Sequence, residues 1–397
     1  MEAALKDVRI LDFTHMYAGP FCTLLLRELG AEVIKVERPE EGDPVRGSPP
    51  FTEGGESSAF IMLNRGKKSV TLNLSKEEGR EICLSLVKNA DVVIENFTPG
   101  SMERLGLGSK RLLEMNPKLI YASISAFGHK GPYSKLIGFD PIIQAMGGII
   151  SVTGYPELPP VKVGIPIADY LGGLFCAISI LASLHYRSLT GKGQVIDISI
   201  QDCVFLPTII WQGPTVFIEK KIPERRGNSD AYVVPANIYP AKDGYVYIGC
   251  IGIAQVERLF KVIGREDLVN SPLCARQSER IRFREEFDRL IKEWTEKRCV
   301  EEIWKAFIDA DIPCSPIPDI KTLCEDPHLK SREMVIEVDQ VVSGRTKVPG
   351  SVFKLSETPG EPRLPAPFLG EHNLEIYGSM LGYGEEKLNE LAEKGII

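Results

Sequence analysis

Two short apolar runs near the start of the chain flank one amphipathic stretch, and this unit constrains the fold more than any other feature. Residues 8–13 (VRILDF) read as a strand, 19–29 as a helix closed by Gly30, and 32–36 (EVIKV) as a second strand. A crossover of about 30 residues that contains a helix returns the second strand parallel to the first. The rhythm then recurs, with a strand over 70–74, a helix over 76–88, and strands over 91–96 and 119–126. Alternation of this kind predicts an α/β fold: a doubly wound, mostly parallel, Rossmann-like sheet with helices on both faces. The stretch 39–55, rich in Pro, Gly and Glu, reads as a loop.

A strand at 194–200 (QVIDISI) and a helical stretch to about residue 218 precede KKIPERRGNSD, a polar, turn-rich boundary. A strand over 245–250 and helices around 254–262, 279–296 and 300–309 predict a second, smaller α+β domain. Beyond residue 326 come short strands, Pro-rich turns and a last helix from residue 385, either packed on the small domain or returned to the first. A length of 397 residues fits such a division.

Composition narrows the class. With 47 basic against 54 acidic residues the formal net charge is −7, which argues against nucleic acid as a partner. Nine cysteines without a CxxC pair point to free thiols in a reducing compartment. The charged opening MEAALKDVRI is unlike a secretory leader. The longest uncharged run, 170–186, sits at the lower edge for a membrane span and reads as a buried core helix between Asp169 and Arg187. The expectation is a soluble, cytoplasmic protein that binds no membrane.

The residues also sort the possible chemistries. The first strand-to-helix turn, THMYAGP, carries Gly19 alone, and a dinucleotide fingerprint needs three glycines so that backbone amides can reach a pyrophosphate. Glu37 therefore stands as weak evidence for NAD. Five histidines show no HExxH spacing, so no metal is expected. Cys22 opens the first helix, where the dipole would lower a thiol pKa. The sharpest feature is GIPIADYLGG, in which Asp169 stands alone between an apolar turn and a long apolar helix. One reading makes it an N-cap that accepts a backbone N–H. The other makes it a poorly hydrated carboxylate, reactive toward a thioester, with nearby amides to stabilise an oxyanion.

The chain resembles the class III CoA-transferase family, the formyl-CoA transferase, carnitine CoA-transferase and bile-acid-inducible type. The resemblance rests on VRILDFTHMYAGPFCTLLLRELGAEVIKVERPEEGD, LNRGKKSVTLNL, DVVIENFTPGSMERLGLG, GFDPIIQAMGG, PIADYLGG, SLTGKGQVIDISIQD, NIYPAKDGYVYIG and PAPFLGEHN, in that order. It implies transfer of CoA from an acyl-CoA donor to a free carboxylic acid, with coenzyme A as the carried group and no metal or NAD. Asp169 falls on the family nucleophile, which passes through mixed anhydrides and an aspartyl-CoA thioester. CoA recognition is implied for Arg38, for Leu72, Asn73, Leu74 and Ser75, for Asn96, Phe97 and Thr98, for Arg104, and for Ile137, Gly138, Phe139 and Asp140. Tyr17 and Ala18 match the substrate pocket, and Gly249 and Gly252 match a protective glycine loop that is bulkier here. Formyl-CoA transferases carry Gln where this chain has Tyr17, which weighs against oxalate or formate. The racemase branch of the family places a His where this chain has Phe139, and two-base proton exchange needs a second titrating group. An α-methylacyl-CoA racemase-like isomerase is therefore the weaker alternative. The resemblance also implies an interlocked homodimer, with residues 1–224 and 326–397 forming the large CoA-binding domain and 225–325 the small one.

Overall fold

The structure, a computed structural model, describes residues 3–397. The chain forms two compact units. One holds the residues up to Ile150 with Lys162–Lys221 and Pro327–Ile397; the other holds Ser151–Val161 and Ile222–Asp326.

The first unit is built on six parallel strands: β1 (Arg9–Asp12), β2 (Glu32–Glu37), β3 (Lys68–Thr71), β4 (Val92–Glu95), β5 (Ile120–Ser125) and β6 (Val195–Ser199). Their connections carry α1 (Ala18–Glu28), α2 (Ser58–Asn64), α3 (Glu77–Val87), α4 (Ser101–Arg104), α5 (Ser109–Met115), α6 (Asp140–Met146) and α7 (Ile167–Thr190). A further helix, α8 (Ile200–Gly213), follows β6. The strand order β3-β2-β1-β4-β5-β6 reverses direction at β1, which pairs with both β2 and β4. Open sheets of this kind bind ligands outside the carboxyl ends of the strands at that reversal.

Period-two alternation fills both faces of the sheet. Ile10, Val33, Val92, Ile94 and Ile120 pack under α1 and α7, while Leu11, Ile34, Val70, Val93 and Tyr121 pack under α3 and the C-terminal helices. Full burial of each such side chain contributes about 1.5–3 kcal/mol. The helix Asn373–Leu381 returns to the edge strand β3, where the Thr71 N–H donates to Asn373 Oδ1 (2.9 Å) and the Ser69 N–H to His372 Nδ1 (3.2 Å). Side chains thus satisfy donors that an open edge would expose.

Several elements differ from the sequence-based expectation. β3 ends at Thr71, and residues 72–75 turn away because Asn73 Oδ1 accepts from both the backbone N–H (3.1 Å) and hydroxyl (2.5 Å) of Ser75. The expected helix over 279–296 is divided into Gln277–Arg280, a short 3-10 turn and Arg284–Thr295. The apolar run after Asp169 lies within a longer helix, α7, that is not buried all round. Its Ala168, Cys176, Ala177 and Ile180 face the core, whereas Leu174, Ile178 and Leu189 are exposed. By length and composition α7 could cross a membrane, but one of its faces is packed on α1 and the sheet. Phe205, Ile210 and Trp211 on α8 extend the exposed apolar surface.

The second unit is an antiparallel sheet of Ala236–Pro240, Tyr245–Gly249 and Cys314–Pro316. The helices Ile253–Val262, Arg284–Thr295 and Val300–Asp309 back it. Ser151–Val161, placed by the sequence reading in the large domain, belongs to this unit. The Arg225 guanidinium explains why: it donates to the carbonyls of Tyr155 (3.2 Å), Pro156 (3.2 Å) and Leu158 (2.9 Å).

Candidate active site

Asp169 is not the cap of α7. Pro166 occupies the N-cap position, and Asp169 lies within the first helical turn. The cap comes from elsewhere: Asp140 Oδ1, on α6, accepts from the backbone N–H of Ala168 (2.8 Å) and of Asp169 (3.3 Å). Asp140 Oδ2 accepts from Gln144 Nε2 (2.6 Å). Gln144, fully buried, also donates to Ile165 O (3.2 Å) and accepts from the Val163 N–H (2.9 Å). Asp140 and Gln144 stand at i, i+4 on one helix face and together clamp the approach to α7. Among the described residues no hydrogen bond reaches the Asp169 carboxylate itself. Burial, reinforced by the charge of Asp140, pushes its pKa up to about 7. A carboxylate in this state is a stronger base and nucleophile than a solvated one.

The opposite wall is the turn between β1 and α1. Met16 holds a left-handed backbone (φ 66°), a strained conformation for a residue with a side chain. Three groups hold the turn in place. Asn96 Oδ1 accepts from the His15 N–H and Asn96 Nδ2 donates to the His15 carbonyl, both at 2.9 Å. The Met16 N–H donates to Asp43 Oδ1 (3.1 Å), and Lys35 Nζ donates to Thr14 O (2.8 Å) while pairing with Asp43 (2.8 Å). Beneath lie Asp12 and Lys67, both fully buried at their side chains and 3.2 Å apart. Burial works to raise the Asp12 carboxyl, but Lys67, Lys35 and the hydroxyls of Thr14 and Thr23 bring it down to about 2. Burial lowers Lys67 to about 8 against the pull of Asp12. Helices α1 and α7 meet closely because Gly173 has no side chain; a Cβ there would lie 2.5 Å from Ala18 O.

Two cavities open at these strand ends, both within the first unit. The first, about 520 Å³, is lined by Tyr17, Ala18, Asn96, Gly138, Phe139, Asp140, Lys162 and Asp169 among others. The second, about 310 Å³, is lined by Arg38, Leu72, Asn73, Leu74, Ser75 and Phe97 with Glu37 and Asp43. The fold therefore gathers most of the residues singled out in the sequence, divided between two chambers. Thr98, Arg104 and Ile137 line neither. Arg104 is exposed beside them, its guanidinium donating to Ser101 Oγ (2.8 Å), and Ile137 is also exposed. Gly249 and Gly252 lie in the second unit, where Arg280 donates to Ile251 O (2.6 Å) between them.

Some assignments change. Both oxygens of Asp140 are engaged by the α7 backbone and Gln144, so it holds the head of α7 in place, a role the sequence reading did not give it. Glu37 is bound by Arg46 (2.7 and 2.8 Å) and Ser69 (2.6 Å), which leaves it no oxygen free for a ribose. Cys22 is fully buried against Cys176, and burial raises its thiol instead of activating it. Sequence reasoning missed His15, Lys35, Lys67, Gln144 and Lys162. A charged residue inside an apolar strand, as in EVIKV, is the signal that could have found Lys35.

A half-buried carboxylate that accepts no hydrogen bond from the described residues thus lines one chamber at the carboxyl ends of the strands, with a second chamber nearby. Comparison with known proteins makes the assignment specific. Residues 5–373 match CoA-transferase family III, and the chain belongs to that family. The chain is similar to succinyl-CoA–D-citramalate CoA-transferase of Chloroflexus aurantiacus, with 39% identity over 99% of this chain and 98% of the relative. It is 38% identical to succinyl-CoA:mesaconate CoA-transferase of Haloarcula marismortui over 94% of this chain and 95% of the relative. Among solved structures, a CAIB/BAIF family protein from Brucella suis superposes with a TM-score of 0.85 at 34% identity, over 96% of this chain and all of that one. The protein is a family III CoA-transferase, an enzyme that uses CoA thioesters.

Proposed function

We propose that this enzyme moves CoA from a dicarboxylic acyl-CoA, of which succinyl-CoA is the leading candidate, to a second small dicarboxylic acid, and that Asp169 carries the exchange covalently. The observation that carries the reading is the Asp169 carboxylate, its pKa raised to about 7 and no hydrogen bond reaching it from the described residues, in a cavity of about 520 Å³. The relatives named for succinyl-CoA, citramalate and mesaconate support the substrate class. Lys162 in the same cavity supplies a cation for a substrate's distal carboxylate.

The cycle balances without a net proton. Asp169 attacks the thioester carbonyl, the C–S bond breaks, and the electron pair leaves on sulfur as CoA thiolate. The thiolate attacks the Asp169 acyl carbon of the resulting anhydride and expels the donor acid, leaving an aspartyl-CoA thioester. The acceptor carboxylate attacks that thioester and frees the thiolate again. The thiolate then takes the acceptor's acyl carbon, and Asp169 returns as a carboxylate. Water competes at both anhydrides, so a dry cavity and a retained thiolate are required. Arg38 and Arg104 suit CoA phosphates through their planar guanidinium donors. Phe139 offers no base for proton exchange at an α-carbon. The exposed apolar faces of α7 and α8 fit a homodimer interface, and a cytoplasmic location fits the nine free thiols.

The test is exchange of radiolabelled succinate into the succinyl-CoA pool. Wild-type protein is expected to catalyse it and Asp169→Ala, folded by circular dichroism, to lose it. Exchange retained by the variant would remove Asp169 from the mechanism.

A further inference from the structure

His15 is the one residue, among those described, that lines both cavities. On the proposed function, one chamber takes the acyl group at Asp169 and the other the nucleotide-bearing arm of CoA. The thioester sulfur is the atom bonded to both, so it must lie where the chambers meet. The His15 ring is half-buried there, and no hydrogen bond from the described residues reaches either ring nitrogen. We infer that His15 is a second catalytic residue, whose ring N–H donates a hydrogen bond to the CoA sulfur each time it leaves as thiolate.

The surroundings fit this role. The His15 backbone is fixed from both sides by Asn96, and the strained Met16 that follows is tied to Asp43. The ring rests against Phe97, 5.5 Å between centroids. Burial lowers the imidazole pKa; Asp43 and Asp12 oppose this, and Lys35 adds to it. A neutral imidazole always keeps one N–H to donate and one lone pair. A donor of this kind stabilises the departing thiolate without giving up its proton. The sulfur therefore stays nucleophilic for its return to the anhydride, whereas full protonation would quench it. Hydrogen bonds to a charged partner are among the stronger ones in proteins, and this one forms only as charge develops.

Two variants separate this role from a structural one. His15→Phe keeps the ring packing and loses the donor; His15→Gln keeps a donor near the Nε2 position. With succinyl-CoA and a dicarboxylic acceptor, His15→Phe is expected to lose kcat by roughly 10- to 100-fold with little change in KM for the thioester. His15→Gln is expected to recover much of that loss. Binding supplies a measurement independent of turnover. In buffer alkaline to a thiol's ordinary pKa, wild type should bind CoA roughly tenfold more tightly than desulfo-CoA, and His15→Phe should bind the two alike. Equal losses in both variants, a defect confined to KM, or no preference of wild type for CoA over desulfo-CoA would each overturn the inference. The binding comparison needs no covalent step, so failure of the Asp169 cycle and failure of the His15 role give different results.

Discussion

The end of β1 and the head of α7 each carry a carboxylate shielded from solvent, fully at Asp12 and partly at Asp169, and they treat it in opposite ways. Asp12 lies between Lys67 and Lys35 with two hydroxyl donors, and its pKa falls to about 2. Among the described residues Asp169 has no cation and no donor, only the nearby charge of Asp140, and burial with that charge raises its pKa to about 7. The first arrangement keeps a charge permanently and uses it to hold a strained turn. The second leaves a charge poorly stabilised, which is what a nucleophile needs. On the proposed function, activity and stability draw on different carboxylates within one strand-end region.

The largest way to break this contrast is to remove the unpartnered group. Asp169→Ala is expected to lower the transfer rate on the order of 10⁴-fold or more, measured by conversion of succinyl-CoA in the presence of acceptor acid. Next comes the structural carboxylate. Asp12→Asn leaves Lys67 and Lys35 undercompensated in the core and should cost about 3–5 kcal/mol in urea denaturation. Because the folded Asp12 pKa is depressed, its contribution is present above the unfolded value near ~3.9 and is lost as pH falls toward about 2.

Asp169→Asn should do the reverse to stability. A raised folded pKa means that ionising Asp169 weakens the fold. The penalty grows from the unfolded value up to about 7 and is constant above it. The variant should unfold later than wild type near neutral and alkaline pH, with the difference vanishing in mild acid. A smaller effect should follow from Asp140→Asn, which keeps an acceptor for the α7 amides but removes a charge. The acidic limb of the rate profile is expected to move to lower pH and kcat to fall by roughly tenfold. An unmoved limb would show that Asp140 does not act on Asp169 through its charge.

Much of this was legible in the sequence. The βαβ rhythm gives the parallel sheet because strand and helix periodicities are local properties, and GIPIADYLGG marks the lone acid for the same reason. The cap of α7 was not legible, since Asp140 and Ala168 meet only through the tertiary fold, 28 residues apart. The position of His15 at the seam of two cavities was hidden likewise, because it depends on Asn96, at the end of β4, and Asp43, beyond β2. The exposed stripe of α7 escaped notice because its sequence is apolar on every side, so periodicity alone cannot tell a covered face from an open one.

The most direct measurement traps the covalent state. Protein incubated with succinyl-CoA and then hydroxylamine is digested and mapped by mass spectrometry. The account predicts an aspartyl hydroxamate at Asp169, formed only when the thioester was present. An unmodified Asp169 peptide in an enzyme that still turns over would contradict it.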